Sequence, residues 1–290
     1  MKHEQIVHTL AENVRIFSER IEGSELQRDV CLRQWMAHTV QQNVTADPEA
    51  LYHAFSGESD ALRPKDRAMF CLYLSRHTDP KAATALHSVL PMAEQAAPGS
   101  HGKVALVRNR LNEEALRIFS QSITAAKPSY LPSFADTCED VFDNRCEFGI
   151  LPIENTADGR LFGFYNMLDR YELRICATCQ LETEHTVGSV RYALVGKNPP
   201  TRIPKHSQWL LECAIVTEIG EFPKDIFEVL PTFGASLVKI DSLPVPYDDG
   251  LHKIYFTIQI PKETANAFHF YLTMEHSRYS LIGFYPNLNV

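Results

Sequence analysis

The chain has 290 residues, 44% of them apolar and 22% charged, with a formal net charge of −8. That length allows two or three compact units with real cores, and the negative balance argues against nucleic acid or an anionic membrane surface as the main partner. No apolar run approaches transmembrane length, and the opening MKHEQIVHTLAENVRIF carries acidic residues where a secretory signal would be apolar, so a cytoplasmic protein is expected.

Residues 2–97 read as almost wholly helical. Ile6, Leu10, Val14 and Phe17 recur at helical spacing, and Gly23 stands where that helix should stop. Ser24 with Gln27 three residues on suggests an N-cap, and Leu26, Val30, Trp35 and Val40 continue an apolar stripe. Asp47-Pro48 opens a third helix, and two more are expected over Asp66–Arg76 and Lys81–Gln95. Ala96-Ala97-Pro98-Gly99-Ser100-His101-Gly102 is the clearest linker in the chain.

Beyond the linker, Lys103–Val107 reads as a strand and Asn112–Phe119 as a helix, joined by Arg108-Asn109-Arg110-Leu111. Ser129-Tyr130-Leu131-Pro132-Ser133-Phe134 follows, then a helix from Asp136 to Phe142. Phe148–Ile153 is an apolar run fitting a buried strand, and Glu154, Asn155 and Thr156 supply polar groups at its carboxyl edge. In open α/β sheets ligands sit outside that edge. Asp158-Gly159 marks a turn; Leu161, Phe164, Tyr165 and Leu168 then recur at helical spacing, which sets Asn155 near a helix start. The plainer reading of Glu154 and Asn155 is that they cap that helix.

The segment Pro152-Ile153-Glu154-Asn155-Thr156 resembles the Pro-Ile-Glu-Asn-Ser motif of prephenate dehydratases, and the likeness extends from Ser133-Phe134 and Val141-Phe142 to Leu168-Asp169. The resemblance implies a single lobe of the periplasmic-binding-protein-like α/β type, with Glu154, Asn155 and Arg191 in the site if it is active. Several features depart from the family. The first strand–helix turn has no Gly or hydroxyl where the family has Gly-Thr-Phe-Ser, although a backbone approaching a ligand usually needs Gly. Glu182–Ser189 spans eight residues where a dehydratase inserts its whole second lobe. Val190-Arg191-Tyr192 stands where the family has Thr-Arg-Phe, so the hydroxyl that helps expel the ring hydroxyl is missing, while Arg191 could still hold a carboxylate. A surface salt-bridge arginine is the plainer reading of Arg191.

Dehydratases are sometimes fused to a helical chorismate mutase, whose dicarboxylate needs converging cations. Arg15, Arg20, Arg28, Arg33 and Lys65 are available, but solvated helix faces explain them more simply. The seven cysteines are scattered and form no disulfide framework. Cys176-Ala177-Thr178-Cys179 has redox or zinc spacing, yet on a strand the two thiols should face opposite sides. Neither a metal nor a cofactor is expected.

Pro199-Pro200 and Pro204 form a second, stiffer linker. From Ser207 the order is strand (Trp209–Val216), helix (Phe222–Phe233), strand (Ser236–Ser242), strand (His252–Ile260), helix (Lys262–His276) and strand (Leu281–Tyr285), with Asp248-Asp249-Gly250 as a hairpin turn. This βαββαβ order is ferredoxin-like and resembles the ACT regulatory domain that follows the dehydratase domain and binds phenylalanine. Gly220, at the start of the first helix, and Ser242 match that family's effector-binding turns, whereas Glu221 replaces an alanine and would crowd an amino acid. Dimerisation alone would account for such a domain equally well.

The expected architecture is therefore α+β and multidomain: an all-α helical domain at 1–97, a dehydratase-like single lobe at 102–204, and an ACT-like ferredoxin fold at 206–290. The expected function is sensing of a small carboxylate, or scaffolding, after loss of catalysis; the alternative is an active enzyme on prephenate or a similar cyclic dicarboxylate. Expected ligand contacts are Asn155, Thr156 and Arg191, or Gly220 and Ser242. The expected assembly is a homodimer through the C-terminal domain, whose sheet has an open face and edges to cover.

Overall fold

A ten-stranded mixed sheet runs through the chain from Lys103 to Asn287. The computed structural model describes residues 20, 23–41, 47–58, 60–77, 102–123, 125–182, 188–200, 208–245 and 248–288. The chain divides into two compact units, Met1–Ala85 and Leu86–Val290.

The first unit contains helices α1 (residues 23–41), α2 (Pro48–Gly57) and α3 (Pro64–His77). Gly23 and Ser24 are already helical, so the expected stop and cap do not occur there. Asp47 caps α2 by accepting from the Ala50 N–H at 2.8 Å, and Pro48 fills the first turn, as the sequence suggests. Leu32, Met36, Leu51, Phe55, Phe70 and Leu74 form the core, with Phe55 stacked on Phe70 at 4.1 Å. Arg28 grips the buried Asp66 through both carboxylate oxygens, and the Arg63 N–H adds a third bond. Burial alone would raise the Asp66 pKa, but these bonds outweigh it and hold the group down to about 2. Arg28 is thus committed to structure. The expected helices over Ile6–Phe17 and Lys81–Gln95 lie outside the described residues.

In the second unit, β1 (Lys103–Val107) pairs in parallel with β2 (Lys127–Leu131) and β3 (Phe148–Asn155). Antiparallel pairing then runs from β3 to β6 (Ser189–Gly196) and on to β5 (Arg174–Glu182). The two-residue strand β4 (Gly159–Arg160) folds back on β3. Helices α4 (Arg110–Phe119), α5 (Phe134–Phe142) and α6 (Phe162–Arg170) complete this half. Alternation along the strands divides their side chains between two cores. Val104, Leu106, Phe148 and Ile150 join Ala115 and Phe119 of α4, while Ala105, Leu151 and Ile153 join Val141 of α5 and Tyr165 and Leu168 of α6.

The other half comprises β7 (Gln208–Glu218), α7 (Asp225–Val229), β8 (Ser236–Val245), β9 (Asp248–Gln259), α8 (Lys262–Glu275) and β10 (Tyr279–Asn287). This is the expected βαββαβ order, with β10-β7-β9-β8 antiparallel throughout. The expected helix Phe222–Phe233 is shorter. α7 ends at Val229 and a 3-10 turn takes over at Leu230–Phe233, because Pro231 has no N–H to continue an α-helix. Asp248-Asp249-Gly250 is not the hairpin turn: all three residues belong to β9, and Val245 pairs with Asp248.

The halves join edge to edge. β10 pairs in parallel with β5 through Asn287 and Thr178, giving the order β2-β1-β3-β6-β5-β10-β7-β9-β8. The face of the second half expected to need a second copy is covered within the chain. Leu210, Ala214, Tyr255 and Tyr285 share one core with Leu151, Ile153, Tyr165 and Leu168. Burial of that apolar surface removes the open-face motive for dimerisation; β8 still lies at an end of the sheet.

Candidate functional site

β3 ends in the sequence that the dehydratase resemblance singles out, and its end does not lead straight into a helix. Asn155 accepts from the Asp158 N–H and donates to the Asp158 carboxylate at 2.8 Å, closing the turn from β3 to β4. Helix α6 starts only at Phe162, capped by no side chain. The expectation that Asn155 sits at a helix start is corrected: the β3–β4 hairpin intervenes. Thr156 bonds the Ser189 backbone in both directions, tying the end of β3 to the start of β6. Glu182 pairs directly with Ser189, so β5 and β6 form one antiparallel ladder with no room for a second lobe between them.

Glu154, Asn155, Thr156 and Arg191 converge on one pocket of about 370 Å³, together with Gln180 and Ser189. Its other wall is the second half of the sheet, through Gln208, Leu210, Val238, Lys239, Gln259 and Asn287. The wall opposite the motif is therefore built by β7–β10. Gly220 and Ser242 do not line this pocket. Gly220 lies in a left-handed turn (φ +89°), with α7 starting only at Asp225, so it does not begin a helix as expected. Ser242 is exposed on β8 and bonds His252 at 3.2 Å.

Behind the pocket a buried polar network crosses between the halves. Lys239 Nζ sits 2.6 Å from Glu154 and 3.7 Å from Asp241. Arg160, on β4, donates to Asp241 at 2.7 Å, to Thr257 at 3.0 Å and to Glu212. Tyr165 (2.7 Å) and Tyr285 also donate to Glu212. Burial pushes Tyr285 up to about 12 and raises Tyr165, so both phenols stay protonated as donors. Arg191 donates to the Tyr285 hydroxyl at 3.1 Å and stands 3.6 Å from Glu154. It is a partly buried anchor facing the pocket, neither a free surface arginine nor a fully committed one.

Sequence reasoning missed Arg160, Glu212 and Lys239. One signal was present: Glu212 lies within the apolar run Leu210–Val216, and a carboxylate on a buried strand requires a cation or donors. The cysteine pair also reads differently. A β-bulge at Cys176 puts it in the same core as Cys179. Both thiols are buried and pushed up to about 12, so the spacing has no redox activation behind it. Among the described residues no cluster of His, Cys, Asp and Glu could hold a metal, and no helix is long and apolar enough to cross a membrane.

A mixed α/β sheet with a polar pocket at its strand ends defines the structural class. The prephenate dehydratase family profile matches residues 111–217 of this chain. A prephenate dehydratase from Streptococcus mutans superposes with a TM-score of 0.52 at 21% identity, over 64% of this chain and 98% of that one. GqqA, described as a novel type of quorum quenching acylase, superposes with a TM-score of 0.50 at 16% identity, over 64% and 95%. Both likenesses are of fold. No curated protein matches the sequence.

Proposed function

We propose that this dehydratase relative has lost dehydration chemistry and binds a small carboxylate as a sensor or scaffold. The observation that carries the reading is that the wall facing Glu154 and Arg191 belongs to the same continuous sheet, built by the chain's own second half, with Lys239 ion-paired to Glu154 at 2.6 Å. A dehydratase needs a cleft that opens, closes and delivers a proton to the leaving hydroxyl. Val190 stands where the family has a threonine, and the Thr156 hydroxyl already donates its proton to the Ser189 carbonyl. The Ser189 hydroxyl, one residue before that position, is held by Gln180, from which it accepts at 2.7 Å. Losing a positioned proton donor costs about 10²–10⁴ in rate. Asn155, Thr156 and Arg191 are the ligand contacts in this reading; the turns at Gly220 and Ser242 are a second place for an amino-acid effector of an ACT-like domain spanning 206–290.

The test is phenylpyruvate formation from prephenate by the purified full chain at high concentration. No formation above the uncatalysed rate is expected. Turnover that disappears in Asn155→Ala would overturn the loss of catalysis and favour the enzyme reading.

A further inference from the structure

We propose that the pocket between the two halves of the sheet takes a hydroxylated monocarboxylate, with Arg191 seating the carboxylate and Gln208, Gln259 and Asn287 reading the hydroxyls. The inference rests on the carboxylate-binding reading and narrows its ligand. Arg191 and Lys239 are the cations that line the pocket, and their hydrogen-bonding capacity is unequally used. Lys239 is hydrogen-bonded to Glu154 at 2.6 Å. The Arg191 side chain is only 14% exposed, yet the Tyr285 hydroxyl is its single hydrogen-bond acceptor among the described residues, since the Glu154 ion pair at 3.6 Å is longer than a hydrogen bond. Guanidinium N–H groups in such a setting are normally all satisfied. The unused fork faces the cavity and fits one carboxylate. A second carboxylate would find Lys239 already taken and the Glu154 charge beside it.

The rest of the far wall is neutral. The Gln208 and Gln259 side chains make no hydrogen bond among the described residues, and Asn287 uses only its carbonyl oxygen, accepting from Thr178 at 3.4 Å. Each carboxamide offers a donor and an acceptor, the complement of a hydroxyl that both gives and takes. Leu210 and Val238 supply apolar contact for a carbon skeleton. A volume of about 370 Å³ lies at the small end of the range of small-molecule sites, which suits a six- or seven-carbon polyol acid.

The experiment is calorimetric titration of the full chain with D-gluconate, its neutral counterpart D-glucitol and its dicarboxylate counterpart D-glucarate, and with quinate as a cyclic monocarboxylate. Gluconate or quinate should bind, and glucitol and glucarate should bind at least about tenfold more weakly. Arg191→Gln should abolish the preference for gluconate over glucitol. Gln259→Ala, at an exposed position that the fold does not depend on, should weaken monocarboxylate binding about fivefold or more. Failure of both monocarboxylates to bind at millimolar excess would overturn the proposal. So would glucarate matching gluconate, or affinities untouched by both substitutions. Prephenate turnover, which requires a dicarboxylate to be seated, would sink both the loss of catalysis and the monocarboxylate preference; glucarate matching gluconate without any turnover would sink the present inference alone.

Discussion

Arg160 on β4 and Glu212 on β7 form an ion pair across the two halves of the sheet, with side chains 1% and 0% exposed. Moving two charges out of water costs several kcal/mol per ion, and such a pair persists only where further bonds satisfy both partners. Those bonds are present: Asp241 and Thr257 accept from Arg160, and Tyr165 and Tyr285 donate to Glu212. The pair fixes how the second half lies against β3 and β4, and with it the far wall of the pocket.

Removing one partner should therefore cost more than removing both. Arg160→Met or Glu212→Leu should each destabilise the fold by about 3–5 kcal/mol by leaving the other group without its partner. The double variant Arg160→Met/Glu212→Leu should recover a large part of that loss. Urea denaturation of the three variants checks it; a double variant as unstable as the sum of the singles would contradict this account.

Acid should weaken the fold from near neutrality downward. Burial, reinforced by the Arg174 charge, lowers His269 to about 4 from an ordinary 6.5. The folded state thus resists a proton that the unfolded chain accepts below pH 6.5, so stability falls as pH drops from 6.5 to about 4, by up to about 3 kcal/mol. Asp66, held at about 2 against 3.8, adds a further loss only at lower pH. Denaturation midpoints between pH 7 and pH 4.5 should slope downward in the native chain and be flatter in His269→Phe.

Two glycines should respond oppositely to alanine. A Cβ on Gly283 of β10 would lie 2.7 Å from the Ile175 carbonyl oxygen of β5, a backbone atom that cannot yield without parting the strands. Gly283→Ala should cost about 1–3 kcal/mol. Gly163, exposed in α6 with nothing within 4 Å, should become about 0.5–1 kcal/mol more stable as alanine. Thermal melts of both variants decide it.

Thiol labelling should separate one cysteine from six. Cys31 is exposed and the others are buried, with Cys138, Cys176 and Cys179 pushed up to about 12 by desolvation. Alkylation of the native chain should modify Cys31 alone, and denaturant should open all seven. Native modification at Cys176 or Cys179 would show that the bulge of β5 opens.

What the sequence disclosed was local. The run into Glu154-Asn155-Thr156 reads as a strand because it is apolar and unbroken, and α4, α8 and the antiparallel pair β8–β9 follow from periodicity. β2 escaped notice because Pro128 interrupts a short and largely exposed strand. β4 is two residues long, below any periodic signal. The far wall of the pocket was invisible for another reason. Lys239 and Glu154 lie 85 residues apart, and Arg160 and Glu212 lie 52 apart. Only the register of the assembled sheet brings them together, and no pattern within one segment encodes it.

The position of β10 has a consequence for how the protein is made. It is the tenth strand in chain order, yet it lies between β5 and β7. A nascent chain that has not yet emitted Tyr279–Asn287 holds two partial sheets, β2-β1-β3-β6-β5 and β7-β9-β8, with β5 and β7 as bare edges. Translation of the stretch from β5 to β10 takes on the order of ten seconds. From its own synthesis until β10 arrives, each of those edges offers unpaired N–H and C=O groups to any neighbouring chain. Chaperone protection would matter most in that window, and a premature stop before Tyr279 would leave the gap permanently open.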